Sequence, residues 1–312
     1  MSRRRDRVVL HPVHGPGLAE AVREIPGIEL VEAADTDGVV SATADGFEIL
    51  LTYPWDDRFL SGSLKWVQAI SAGIDQFPLD ALGRAGVVLT SARGAHTPAV
   101  AEHAIALLMA TVRGLGPAMR DAADRTWTAR RPAHEVRGLT LGVLGLGSIG
   151  EEVATIATAL GMTVIGTKLS PEGYSGVARR VVGPDQTLAI CQEADAVIVA
   201  LPHDDLPAVG PAELAALRDG WIVNVGRGSA IDEAALIEAL ADGTLRGAGL
   251  DVFTTEPLPA DSPLWDLPSA VITPHAAWST DRLAPRIAKV FATNLEAYRG
   301  EAPWATRVGG VG

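Results

Sequence analysis

The chain has 312 residues, 47% of them hydrophobic and 21% charged, and a formal charge of −12. That is enough apolar material for one large core or two moderate ones, and two lobes are expected. The acidic balance argues against a nucleic-acid groove, which needs a concentrated basic face, and the single cysteine, Cys191, rules out an intrachain disulfide and points to a reducing compartment.

In chain order, the basic opening Ser2-Arg3-Arg4-Arg5 leads into an apolar strand at 8–10 that His11-Pro12 breaks, too short for the apolar region of a signal peptide. Apolar runs and helical patterns then alternate at 18–25, 28–33, 47–52, 66–70 and 87–90, which predicts a parallel α/β lobe. A long helix is predicted from Thr97-Pro98 to about Arg113, the proline suiting its first turn. It carries Glu102 and His103 and so does not read as a membrane span; with no better span elsewhere, a cytoplasmic protein that engages no membrane is expected.

After an arginine-rich polar stretch around 121–137, a second α/β series starts at Leu139. Its strands are predicted near Leu141, Val164, Val197, Ile222, Gly249 and Ile272, with helices between them such as 232–241, where Asp232 suits the cap position. This set suits a doubly wound sheet. Cys191, just before the strand at 196–200, reads as a small buried residue. The last helical pattern, about 280–298, is long enough to cross back to the first lobe, which would make that lobe discontinuous and leave a cleft between the two. The predicted division is 1–96 plus 284–312 for one domain and 97–283 for the other.

The run Leu139-Thr-Leu-Gly-Val-Leu-Gly-Leu-Gly-Ser-Ile-Gly150 ends a buried strand in glycines. Gly145 permits a sharp turn, Gly147 removes a side chain that would block a phosphate, and Gly150 lets the next helix pack closely. That helix, from about Ser148, aims free amides at an anion, and a second strand follows at 163–167. Strand, glycine turn, helix and strand together read as a dinucleotide site, so a nicotinamide cofactor is expected.

Three later strands end in polar residues, where an open α/β sheet meets its ligands. They supply Arg227, then Asp251 and Glu256, then His275. Singly, each has a plainer reading: a surface ion pair, a Glu-Pro loop, a Pro-His turn. Together they are what reduction of a 2-oxo acid requires. Hydride arriving at a carbonyl carbon leaves charge on oxygen, so an imidazole can give the proton, a carboxylate beside it can orient the ring and raise its pKa, and a guanidinium can fork a substrate carboxylate. No metal is required.

The ordered motifs Gly145-Leu-Gly-Ser-Ile-Gly150, Asn224-Val-Gly-Arg-Gly228, Leu250-Asp-Val-Phe-Thr-Thr-Glu-Pro257 and Thr273-Pro-His275 resemble the D-isomer-specific 2-hydroxyacid dehydrogenases. Trp66-Val-Gln-Ala-Ile-Ser-Ala-Gly-Ile-Asp75 is similar to that family's substrate-carboxylate loop, and His96-Thr-Pro-Ala-Val-Ala-Glu-His103 to its interdomain helix. The resemblance implies two Rossmann-like or flavodoxin-like lobes with parallel sheets around a cleft, usually in a homodimer. It assigns Arg227 to substrate binding, Glu256 to raising the histidine pKa, His275 to proton transfer and Asp251 to the nicotinamide carboxamide. It also assigns the amides of Ala72, Gly73 and Ile74 to the substrate carboxylate, and sets Ser148, Ile149 and Pro202 beside the glycines along the dinucleotide.

Departures from that pattern carry information. Where an NAD-specific member ends its second strand in an acid for the ribose hydroxyls, this chain has Lys168, followed by Ser170, with Arg179 or Arg180 as further candidates. A lysine attracts a 2′-phosphate, so NADP is favoured over NAD, the alternative being a solvated loop charge. The loop after Pro202 carries His203, read as supporting rather than catalytic, and the remaining histidines read as structural. Trp278 is a candidate wall of the substrate pocket or else a packing residue, and Trp55 a second candidate wall. The wording Pro274-His-Ala-Ala-Trp278 also occurs in C-terminal-binding-protein corepressors, which keeps open a second function: a dinucleotide-sensing regulator on the same scaffold.

Overall fold

Five short apolar strands, β1 (Asp6–Leu10), β2 (Ile28–Glu32), β3 (Ile49–Thr52), β4 (Trp66–Ala69) and β5 (Val88–Thr90), pair in parallel in the order β2-β1-β3-β4-β5. The central strands β3 and β4 are buried at every position, as expected when helices cover both faces of a parallel sheet. The computed structural model describes residues 5–129, 133–202 and 206–308, and its two compact units are Met1–His96 with Thr280–Gly312, and Thr97–Ser279. The opening Ser2-Arg3-Arg4 and His203 lie outside the described residues. The first unit adds α1 (Leu18–Arg23), α2 (Thr36–Ala44) and α3 (Leu79–Arg84). No element is predicted at α2, whose run of Thr, Asp, Gly and Ser has weak apolar periodicity. Its start is set instead by Asp35, which accepts from the amide of Gly38 at 2.8 Å.

The second unit holds α4 (Thr97–Val112), α5 (Leu115–Ala123), α6 (Ser148–Ala159), α7 (Thr187–Glu193), α8 (Pro211–Ala216) and α9 (Glu233–Ala241). Its strands are β6 (Thr140–Leu144), β7 (Thr163–Thr167), β8 (Arg180–Val182), β9 (Ala196–Val199), β10 (Trp221–Asn224), β11 (Gly247–Leu250) and β12 (Ala270–Ile272). They pair in the order β12-β11-β10-β9-β6-β7-β8. Six were expected; the seventh, β8, is a three-residue edge strand that opens on the exposed Arg180 and brings only two apolar residues, unlike the wholly apolar β12. Counted within each unit, the first sheet has the flavodoxin order and the second the Rossmann order with one added strand, so two parallel Rossmann-like α/β sheets are observed, as predicted.

Register decides what the second sheet presents at its edge. Thr167 pairs with Leu144, Leu144 with Val199, Val199 with Asn224, Asn224 with Leu250, and Leu250 with Ile272. The residues that follow each of these positions therefore leave the sheet along one carboxyl edge, the ligand side of such sheets. The order reverses between β6 and β9, which puts the switch point beside Gly145.

Among the described residues no single helix is long and apolar enough to cross a membrane. The apolar α4 buries seven residues, including Ala104, Leu107 and Leu108, in the core of its own unit. Asp232 caps α9 by accepting from the amide of Ala235. Cys191 is buried, and that burial, with Glu213 nearby, pushes its thiol up to about 12, so it is no nucleophile.

The chain returns to the first unit with α10 (Leu283–Tyr298), which begins three residues later than predicted because Asp281 and Arg282 form a turn, closed by the Leu283 amide on the Thr280 carbonyl at 3.3 Å. Phe291 of α10 is fully buried and stacks on Trp66 of β4, ring centroids 5.0 Å apart. A buried polar chain runs beside it: Trp66 Nε1 donates to Thr90 Oγ1, Thr90 to Gln68 Oε1, and Asn294 Nδ2 to the same Gln68 oxygen. Phe291→Ala is expected to cost about 3–5 kcal/mol, read as a lowered denaturant midpoint. A loss below about 1 kcal/mol would mean that this contact does not hold α10 to the sheet.

Candidate active site

At the end of β6 the chain turns at Gly145, whose φ is +97°, and its amide donates to Thr167 Oγ1 at 3.1 Å. A Cβ on Gly150 would stand 2.2 Å from the Gly145 carbonyl oxygen, so α6 approaches this closely only because the side chain is missing. Gly147 precedes α6 without any side-chain cap, and nothing lies within 4 Å of where its Cβ would be. The amides of Ser148, Ile149 and Gly150 meet no acceptor among the described residues. Three convergent N–H groups at the positive end of a 12-residue helix, on open ground, fit the pyrophosphate of a dinucleotide. Pro202, exposed two residues beyond Ala200, lies on the neighbouring switch-point loop.

Lys168 follows β7 at that edge. Its ammonium donates to the Leu146 carbonyl inside the glycine turn and stands 3.8 Å from Glu151 Oε1 of α6. Ser170 is exposed two residues on. The guanidiniums of Arg179 and Arg180 both pair with Glu193, at 2.8 and 2.7 Å.

Further along the same edge, His275 Nδ1 lies 2.7 Å from Glu256 Oε2. The other Glu256 oxygen accepts from the Phe253 amide at 3.0 Å, which fixes the carboxylate from behind. The His275 side chain keeps 44% of its surface exposed, so the ring edge away from Glu256 is available to a ligand. Arg227, half-buried, leaves β10 in a turn braced by Asn224, whose Nδ2 donates to the Arg227 carbonyl and whose Oδ1 accepts from the Gly226 amide. A Cβ on Gly228 would overlap the Phe253 carbonyl carbon at 1.9 Å, so the Arg227 turn lies directly against the loop that carries Glu256.

Asp251 is buried at the end of β11, and its carboxylate is held by protein groups. It accepts from Thr273 Oγ1 at 2.5 Å, from the Ala276 amide at 2.9 Å and from the Ala277 amide at 3.0 Å, while the Asp251 carbonyl accepts from the His275 amide at 2.8 Å. His275 adopts a φ of +49°, an uncommon conformation that this clamp maintains. Burial disfavours the Asp251 charge, but hydrogen bonds from His103, Thr273 and the two amides outweigh it and hold the carboxyl at about 2. Sequence reasoning missed Thr273 and His103, whose Nε2 lies 2.9 Å from Thr273 Oγ1. Their separation of 170 residues leaves no local signal.

In the first unit, the loop after β4 folds with Ser71 Oγ donating to the Gly73 carbonyl at 2.6 Å and Gln76 Nε2 to the Tyr53 carbonyl at 2.8 Å. The amides of Ala72, Gly73 and Ile74 meet no acceptor among the described residues, a set of donors suited to a carboxylate. Trp55 packs edge-on against Phe59, and its Nε1 donates to Asp57. In the second unit, Trp278 is 45% exposed.

The family profile described as "D-isomer specific 2-hydroxyacid dehydrogenase, NAD binding domain" matches residues 105–277. Among relatives, the glyoxylate reductase of Korarchaeum cryptofilum is 33% identical, over 83% of this chain and 81% of its own length. The D-3-phosphoglycerate dehydrogenase of Mycobacterium tuberculosis is 35% identical over 98% of this chain but only 56% of its own, so the present chain spans about half the length of such relatives. A solved NADPH-dependent glyoxylate/hydroxypyruvate reductase from Sinorhizobium meliloti superposes with a TM-score of 0.83 at 29% identity, covering 97% of this chain and 98% of that one. With its fold, its glycine turn and its strand-end residues in this arrangement, the chain belongs to the D-isomer-specific 2-hydroxyacid dehydrogenase family.

Proposed function

We propose that this chain reduces a small 2-oxo acid to the D-2-hydroxy acid, drawing on NADP in preference to NAD. The observation that carries this reading is the 2.7 Å pair of His275 and Glu256 at the carboxyl edge that also bears the glycine turn. A bound nicotinamide dinucleotide supplies the hydride. His275 gives the proton: with Nδ1–H donated to Glu256, the imidazolium presents Nε2–H to the carbonyl oxygen on which charge develops. Glu256 stabilises that imidazolium and keeps the ring oriented. Arg227 forks the substrate carboxylate and polarises the carbonyl. In the first unit, the amides of Ala72, Gly73 and Ile74 are donors of the kind a carboxylate takes. Asp251 acts through the backbone of His275 in addition to any contact with the carboxamide. Trp278, with its indole half exposed, is assigned to a substrate substituent. Lys168, the cation at the end of β7, supports the NADP preference.

The test is steady-state oxidation of NADPH and of NADH with glyoxylate, hydroxypyruvate and larger 2-oxo acids. Turnover with at least one acid, at a higher kcat/KM for NADPH than for NADH, is expected. Dinucleotide binding without turnover across the panel would overturn the enzyme reading in favour of a sensor, and a higher kcat/KM with NADH would overturn the preference.

A further inference from the structure

The cation assigned to the adenosine ribose does not stand alone. Glu151, in the first turn of α6, carries its carboxylate 3.8 Å from the Lys168 ammonium, and Tyr174 donates its hydroxyl to the other carboxylate oxygen at 2.9 Å. The Tyr174 hydroxyl in turn accepts from the Ala178 amide at 3.2 Å, so the carboxylate is fixed from the side opposite the lysine. Lys168 and Glu151 are each about one-third exposed, open enough for a ligand to reach both.

A doubly charged phosphate brought onto Lys168 therefore also comes up against a fixed negative charge, and like charges at this range repel. The same carboxylate is the group that accepts hydrogen bonds from the two free hydroxyls of an unphosphorylated ribose. This chain lacks an acid at the end of β7, and α6 supplies one across the gap. We propose that Glu151 sets the cofactor preference: it opposes the 2′-phosphate on Lys168, accepts the ribose hydroxyls of the unphosphorylated form, and so moderates a site that the lysine alone would make strongly selective. Tyr174 is its positioning residue. The proposal rests on the reading that Lys168 faces the adenosine ribose.

Binding of adenosine 2′,5′-bisphosphate and of adenosine 5′-monophosphate by calorimetry, with no substrate or turnover involved, separates the two ideas. Glu151→Gln keeps an acceptor for Tyr174 and removes the charge; it is expected to tighten the bisphosphate about tenfold and to weaken the monophosphate. Lys168→Gln is expected to weaken the bisphosphate about tenfold and to leave the monophosphate within about twofold. If Lys168→Gln lowers the ratio of the two affinities and Glu151→Gln leaves it within about twofold, the role of Glu151 falls while the lysine reading stands. If Lys168→Gln itself leaves the ratio unchanged, both fall together.

Discussion

Replacing His275 with glutamine is expected to lower kcat/KM for the 2-oxo acid by about 10²–10⁴ while dinucleotide affinity stays within about twofold. Glutamine retains a donor but cannot carry the proton across the reaction. The effect should fall on kcat more than on KM, because the proton moves only as charge develops on the carbonyl oxygen. His275 is exposed beyond its bond to Glu256 and lies outside the buried core, so thermal stability should change little. Measured turnover of the variant, beside a fluorescence titration with the dinucleotide, decides the matter: undiminished turnover would remove His275 as proton donor, and lost dinucleotide binding would show a structural effect instead.

Asp251→Ala is expected to destabilise the protein by about 3–5 kcal/mol near neutral pH, because it strips the acceptor from Thr273, from the part-buried Ala276 amide and from the buried Ala277 amide and leaves them unsatisfied. The sign of its pH dependence follows from the carboxyl being held at about 2, below its ordinary 3.8. A depressed folded-state value means that the charge stabilises the fold fully above pH 4 or so, and that this contribution fades as pH falls from about 4 to about 2. The difference of just under two units corresponds to about 2 kcal/mol. Unfolding free energies of parent and variant, from denaturant titrations, should therefore converge by about that amount across the same window. A constant gap from about pH 5 to about pH 2 would show that the Asp251 charge is not what the surrounding donors stabilise. Turnover should fall too, since the clamp holds the left-handed backbone of His275.

How much of this was legible beforehand depends on how local each signal is. Gly145, Gly147 and Gly150 could be read directly, because a turn and a close helix approach impose their demands within a few residues. Arg227, Glu256 and His275 could be read as strand-end residues, since an apolar run that stops at a polar group marks the edge of a parallel sheet. The helix α2 and the edge strand β8 could not, the first lacking apolar periodicity and the second offering only two apolar residues after an exposed arginine. Arg179 and Arg180 look in the sequence like spare cations for a phosphate; only the position of α7 commits them to Glu193.

The sequence by itself determined the alternation that makes two parallel α/β sheets, the glycine turn, and the residue types available at the strand ends, because periodicity, φ freedom and side-chain chemistry are properties of short segments. The family resemblance had already implied the Glu256–His275 pair; only the tertiary structure decided the other partners, the Asp251 clamp with Thr273 and His103 and the meeting of Lys168 with Glu151 and Tyr174. Those meetings depend on strand order and register, which bring together residues far apart in the chain, and register is set by the packing of the whole sheet and its helices and by no single segment within it.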